Sequence, residues 1–202
     1  MLLRQQNSVL RIKINPMPIA YQIKDQNGLY FLTLQVVDWV DVFTRQNYRD
    51  IVMDSFRYCI EQKGLVLWAY VIMSNHVHII VSSKNGTLSN TIRDLKRYTA
   101  TQILKAIDSP KESRRDWMLK RFEFMARKHK RNSHLQFWTH NNHAVILESK
   151  KFIIQKCHYI HENPVRAGFV EWPSDWWYSS ARNYEGKMGL IEVELLDEMY
   201  SL

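Results

Sequence analysis

The segment Tyr30 to Val42 (YFLTLQVVDWVDV) is rich in β-branched and aromatic residues and predicts a strand. From Tyr48 to Gln62 the core-side positions Ile51, Val52, Ser55, Tyr58, Cys59 and Gln62 recur at helical spacing, with Thr44 able to cap the helix and Gly64 ending it. Leu65 to Met73 (LVLWAYVIM) is a near-continuous apolar strand, and after a bend at Ser74-Asn75 the run His76 to Ser82 is another. Asn85-Gly86 signals a turn, and Thr87 or Ser89 can cap a helix that runs to about Ile107. On that helix Leu88, Ile92, Leu95, Thr99, Ile103 and Ala106 form one stripe, which should cover a sheet. Further on, HAVIL within Gln136 to Leu147 reads as a strand, and Ser149 to His161 as a helix stopped at Asn163-Pro164.

The order is β-α-β-β-α, a basic helical insertion, then β-α. This is an α+β pattern and matches the split β-α-β, ferredoxin-like (RRM-like) arrangement. It predicts four to five mainly antiparallel strands with helices on one face, leaving the other face for a ligand or partner. A single domain spans 1–202, with a core over about 29–148, the insertion over about 111–134 and a C-terminal helical extension over 149–202. That extension carries Trp172, Trp176, Trp177, Tyr178 and Tyr184, too aromatic to hang free.

Composition narrows the class. With 202 residues, 46% hydrophobic and 24% charged, the chain can build a sizeable core, and wholesale disorder is not expected. It has no run of 18 apolar residues and no signal-peptide pattern, so no membrane association is expected and the cytoplasm is the expected compartment. Cys59 and Cys157 fall in helical patterns and predict no disulfide framework. The net charge of +8 favours a polyanionic partner. Between Ser113 and His134, Arg114, Arg115, Lys120, Arg121, Arg127, Lys128, Lys130 and Arg131 face only Asp116 and Glu123. Trp117, Phe122 and Phe124 are interleaved, so cations and stacking groups occur together, as single-stranded or hairpin nucleic acid requires. The same pattern is also that of a solvated basic helix whose aromatics face the core.

The candidate chemistry begins at His76-Val77-His78. Two imidazoles two residues apart on a strand point to one face, with Cα atoms ~7 Å apart, close enough to grip one divalent ion. Packed, hydrogen-bonded histidines are the alternative. On the following helix Tyr98 and Gln102 are neighbours at i and i+4, with Lys105 close by. If that helix faces the histidines, Gln102 completes a site of two nitrogens and one oxygen, and Tyr98 stands one turn from the metal. Such a site polarises a phosphodiester for attack by the tyrosine, forming a phosphotyrosine and releasing a 3′ hydroxyl. Open N/O sites suit Mg²⁺ or Mn²⁺, and two imidazoles also suit Zn²⁺.

NHVHII, followed by Tyr98 and Gln102, resembles the HUH single-tyrosine transposases of bacterial insertion sequences. The run Tyr159-Ile160-His161-Glu162-Asn163-Pro164-Val165-Arg166-Ala167-Gly168-Phe169-Val170 is similar to the YIHxNPVRAGLV signature of the REP-associated tyrosine transposase branch, and Trp177-Tyr178-Ser179-Ser180 to its W-SS-Y segment. The resemblance implies metal ligands at His76, His78 and Gln102, a nucleophile at Tyr98, and cleavage and rejoining of single-stranded DNA beside a hairpin. It also implies a bacterial protein at the nucleoid when DNA-bound, acting as a monomer or homodimer. Arg114, Arg115, Lys120, Arg121 and Lys105 are the expected DNA contacts, with Arg166 on phosphate. Two other readings stand beside it: a non-catalytic hairpin DNA- or RNA-binding module on the same scaffold, and a metal-dependent phosphodiesterase using water.

Overall fold

The computed structural model describes residues 22–128 and 134–196; Lys130 and Arg131 of the basic run lie outside the described residues. The chain runs β1 (Tyr30–Gln35), α1 (Gln46–Lys63), β2 (Leu65–Ile72), β3 (His76–Ser83), α2 (Leu88–Ile107), α3 (Arg115–Lys128), β4 (Val145–Ile146), α4 (Lys150–Arg166) and the short α5 (Ala181–Tyr184). The strands form one antiparallel sheet in the order β2-β3-β1-β4, the split β-α-β topology. The first predicted strand is shorter than its apolar run: β1 ends at Gln35, and tight 3-10 turns occupy Val37–Trp39 and Val42–Thr44. The last strand of the sheet keeps only two residues of HAVIL.

Strand alternation sorts the sheet into two faces. Leu32 and Leu34 of β1 with Val77, Ile79 and Val81 of β3 lie in the larger core. There they meet Tyr48, Val52 and Phe56 of α1 and Leu88, Ile92, Leu95 and Ile103 of α2. The α2 stripe is thus nearly the predicted one, with Ile107 buried where Ala106 is only half-buried. On α1 the buried set includes Tyr48, Met53 and Phe56 while Tyr58 is exposed, so its stripe is rotated from the predicted one. The opposite face carries a smaller core of Phe31, Ala69, Val71 and Ile80 against Ile153, Cys157 and Ile160 of α4. The expectation of helices on one face therefore holds for α1 and α2, while the C-terminal extension lays α4 on the other.

The basic insertion is also part of the core. Met118 and Phe122 of α3 are fully buried, and the Phe122 ring lies 5.5 Å from that of Phe137. A side chain of that size contributes about 1.5–3 kcal/mol by burial. Trp117 and Phe124 stay exposed.

The tail packs back as predicted. Ile72 N–H donates to Tyr178 O (2.9 Å) and Ser180 N–H to Tyr70 O (3.0 Å), and Val71 pairs with Ser179, so the segment covers the free edge of β2. Pro164 does not stop α4 where expected. It sits inside the final turn, and the helix ends at Arg166, with Gly168 in the left-handed region (φ 73°) accommodating the exit.

Candidate active site

His76 and His78 lie on the α4 face of β3, their ring centroids 4.6 Å apart. Each has one ring nitrogen engaged. His76 Nδ1 donates to Asn75 Oδ1 at 2.8 Å, and His78 Nδ1 bonds Thr33 Oγ1 at 2.9 Å. Thr33 is directly opposite His78 in the β1–β3 register, so sheet pairing itself builds the second contact. Anchoring Nδ1 fixes ring orientation and leaves Nε2 as the ring nitrogen free to ligate, the outer-shell arrangement of metal-binding histidines. Burial lowers the pKa of His76 to about 4, partly offset by Asp41. Burial, with the positive potentials of His76 and Lys156, lowers that of His78 to about 3. Both imidazoles are therefore neutral at pH 7, the form that ligates.

The side chain that meets them comes from α4. Tyr159 is half-buried, its ring edge-on to His78 with centroids 5.3 Å apart. Phe31 closes the cluster, stacked on His78 at 5.3 Å and edge-on to Tyr159 at 6.0 Å. Two cations flank the tyrosine: Lys156 Nζ is 5.5 Å from its ring centroid and the Arg166 guanidinium 5.8 Å. One turn beyond Tyr159, Asn163 donates its Nδ2 to the Tyr159 carbonyl (2.9 Å), leaving its Oδ1 as an acceptor. The helix is pinned to β2 by a 2.8 Å hydrogen bond between His161 Nε2 and Ser180 Oγ, the latter also accepting the Tyr70 N–H at 2.9 Å.

Tyr98 and Gln102 are not in this cluster. Both lie on α2, beneath the Val77–Ile79–Val81 face, so the sheet separates them from the histidines of the same chain. They line a groove between α1 and α2 of about 560 Å³ with Tyr58, Lys63 and Asp94, and Tyr98 is 56% exposed there. The i, i+4 spacing on α2 is real, but the helix covers the wrong face. Within one chain the structure therefore does not bring the expected ligand Gln102 and nucleophile Tyr98 to the histidines.

The expected DNA contacts also divide. Arg166 alone reaches the histidine cluster, through Tyr159. Arg114 is a buttress: it pairs with Glu112 (3.3 Å) and donates to Asp41 O (2.9 Å) and Thr44 Oγ1 (3.0 Å). Arg115 is held by Asp108 and Asp116, and Arg121 by Asp38 at 3.3 Å. Lys105 and Lys120 are exposed and line, with Arg115, a shallow depression between α2 and α3, away from the histidines. In the sequence Tyr159 and Asn163 stand inside the NPVRAG-containing motif with no role of their own, and no sequence pattern points to Thr33, Phe31 or Lys156. Tyr159 and Asn163 share the tyrosine-x3-amide spacing of Tyr98 and Gln102, and that signal was present in the sequence.

The residues fit a divalent ion in part. Two neutral nitrogens are in place, and among the described residues no group of three His, Cys, Asp or Glu side chains could hold a metal. A hard ion bound here therefore needs amide, water or phosphate oxygens to complete its shell, as ions that act on phosphate commonly do.

The family model "Transposase IS200 like" matches residues 32–122, a stretch that includes both histidines and ends before α4. A protein of Haemophilus influenzae named as a REP-associated tyrosine transposase is 26% identical over 157 residues, covering 77% of this chain and 80% of that one. A solved structure described as a REP-associated tyrosine transposase bound to a REP hairpin superposes with a TM-score of 0.55 at 15% identity, over 84% of this chain and 87% of the other, a likeness of fold. No helix among the described residues is long and apolar enough to cross a membrane. Residues 32–122 are thus similar to the IS200-like transposases, and the chain over most of its length is similar to a REP-associated tyrosine transposase.

Proposed function

We propose that the chain cleaves and rejoins single-stranded DNA beside a hairpin, with Tyr159 as nucleophile and His76 and His78 as ligands of a divalent metal, Mg²⁺ or Mn²⁺. The observation that carries this is the packing of Tyr159 against His78 on the face of the sheet that bears both imidazoles. A divalent ion held there supplies Lewis-acid polarisation of the scissile phosphate. Asn163, one turn after Tyr159, takes the role expected of Gln102 as the amide oxygen donor.

In this reading the Tyr159 oxygen attacks phosphorus, the bond from phosphorus to the 3′ oxygen breaks, and the phenol proton is released as the 3′ hydroxyl forms. The chain is left as a 5′-phosphotyrosine. Attack by a 3′ hydroxyl on that ester reverses the step and rejoins DNA. Lys156 and Arg166 stand beside the ring, where charge develops on the phosphate oxygens. The low-dielectric surroundings of Phe31 and His78 strengthen that attraction. Partner classes follow: single-stranded or hairpin DNA, bound in the cytoplasm by a monomer or homodimer.

The test is a covalent adduct. Incubated with a single-stranded DNA hairpin and Mg²⁺ or Mn²⁺, the wild-type chain yields a species that resists denaturation. Tyr159→Phe lowers its yield on the order of 10³-fold or more, while Tyr98→Phe leaves it unchanged. Adduct persisting in Tyr159→Phe and lost in Tyr98→Phe would restore the α2 tyrosine, acting from a second copy of the chain.

A further inference from the structure

The loop after β1 is bent as few turns are. Asp38 and Trp39 both hold φ at 55°, the left-handed region, which is costly for a residue as bulky as tryptophan. Trp39 gains no burial in return. Its indole remains 63% exposed, with its ring centroid 6.4 Å from that of His76 at an interplanar angle of 78°.

The loop is held from two sides. Asn75, whose Oδ1 accepts from His76, donates its Nδ2 to Asp41 Oδ1 (2.9 Å) and Trp39 O (3.4 Å). From α3, Arg121 pairs with Asp38 and Arg114 donates to Asp41 O. One amide thus orients both the imidazole and the loop that displays the indole, and the insertion's arginines brace that loop.

We propose that Trp39 is a stacking platform for one unpaired nucleobase adjoining the phosphate at His76 and His78, a single-stranded DNA subsite. The proposal rests on the reading of those histidines as the phosphate-handling site. Any base can stack on an indole, and a base next to a splayed, unpaired phosphate has lost its own stacking neighbours. A relaxed turn would let the ring fold back onto the protein, whereas the braced, strained loop keeps its face toward solvent beside the site. Stacking reads shape more than hydrogen-bond pattern, so the subsite would fix the position of the cut more than its sequence.

The test measures binding to uncleaved DNA, in the Tyr159→Phe background and with divalent metal removed by a chelator, using a DNA hairpin with a mixed-sequence single-stranded tail on each side. Trp39→Ala should raise Kd for the tailed hairpin about 5- to 150-fold, Trp39→Phe should recover most of the loss, and binding of the blunt hairpin should not change. An abasic residue moved along the tails should reproduce the defect at one position only, and at that position Trp39→Ala should add nothing further. Equal Kd for wild-type and Trp39→Ala chains, or equal loss on blunt and tailed hairpins, overturns the subsite. So does an abasic scan in which no position is coupled to Trp39. Thermal melting of both variants separates a damaged fold from a lost contact. Because no cleavage is read, the result stands apart from the adduct assay: persistence of adduct in Tyr159→Phe would remove the nucleophile and leave the stacking measurement intact.

Discussion

The two faces of the sheet each carry a helix with a tyrosine one turn before an amide side chain: Tyr98 and Gln102 on α2, Tyr159 and Asn163 on α4. Under α2 the sheet presents Val77, Ile79 and Val81, and the interface is a continuous apolar core. Under α4 it presents His76, His78 and Ile80, so polar nitrogens are buried in a smaller core and each needs a partner. The helical spacing is the same on both sides. What differs is strand parity, and parity decides which tyrosine meets the histidines.

The sharpest way to break this comparison is to alter adjacent strand residues. His78→Ala removes a nitrogen donor and should lower metal-dependent cleavage by ~10²-fold or more while hairpin binding and fold persist. Val77→Ala, one residue away on the other face, should cost about 1–3 kcal/mol in urea unfolding and leave cleavage per folded molecule near wild type. If the Val77 variant loses chemistry and the His78 variant only stability, the faces have been assigned the wrong way round.

Much of this was legible in the sequence. The strand and helix order followed from periodicity, and His76-Val77-His78 in a β-branched run was visible as a possible metal pair. The face was legible too. The odd residues Val77, Ile79 and Val81 of β3 are all apolar, and both crossover helices of a split β-α-β unit share one side of the sheet, so α2 belongs with Val77 and not with His78. The distance in sequence from the histidines to the next tyrosine does not carry this constraint. The role of α3 was harder to see. Its arginines are basic in sequence, but Arg114, Arg115 and Arg121 are matched by Glu112, Asp108, Asp116 and Asp38; the first three are sequence neighbours just outside or at the start of the helix, and only Asp38 is brought there by the fold. The strained pair Asp38-Trp39 has no sequence signature, since neither residue is the glycine that a left-handed turn favours.

The second contrast is in acid. His76, His78 and His161 all lie on the α4 side, and burial is the first cause that lowers each, to about 4, 3 and 4. For His161 the charge of His158 adds to burial and Glu185 opposes it. Neither α1 nor α2 contains a histidine. An unfolded histidine takes up its proton near pH 6.5, which the folded side chain refuses until about pH 4. The unfolded state therefore binds more protons across that window, and stability, full above pH 6.5, falls as the pH drops toward 4. His161→Gln keeps a donor for Ser180 but has no proton to gain, so its urea midpoint should fall less steeply over the same window. An acid slope unchanged by this substitution would place the titrating groups elsewhere.

The smallest expected effect lies on the α2 face. Gln102 is half-buried at the rim of the α1–α2 groove, belongs to neither apolar core, and faces none of the groups that meet the histidines. Gln102→Ala should change stability within about 0.5 kcal/mol, as surface substitutions do, and should leave metal-dependent adduct formation at the wild-type rate. Asn163→Ala, its counterpart on α4, also removes a hydrogen bond to the Tyr159 carbonyl, so it should slow adduct formation by roughly 10- to 100-fold, the range for groups that support a metal site. Two like substitutions of one amide, one turn after a tyrosine, then differ only in the face of the sheet they occupy. Equal effects at Gln102 and Asn163 would mean that the α2 helix reaches a site in another copy of the chain, and the separation by strand parity would no longer describe the chemistry.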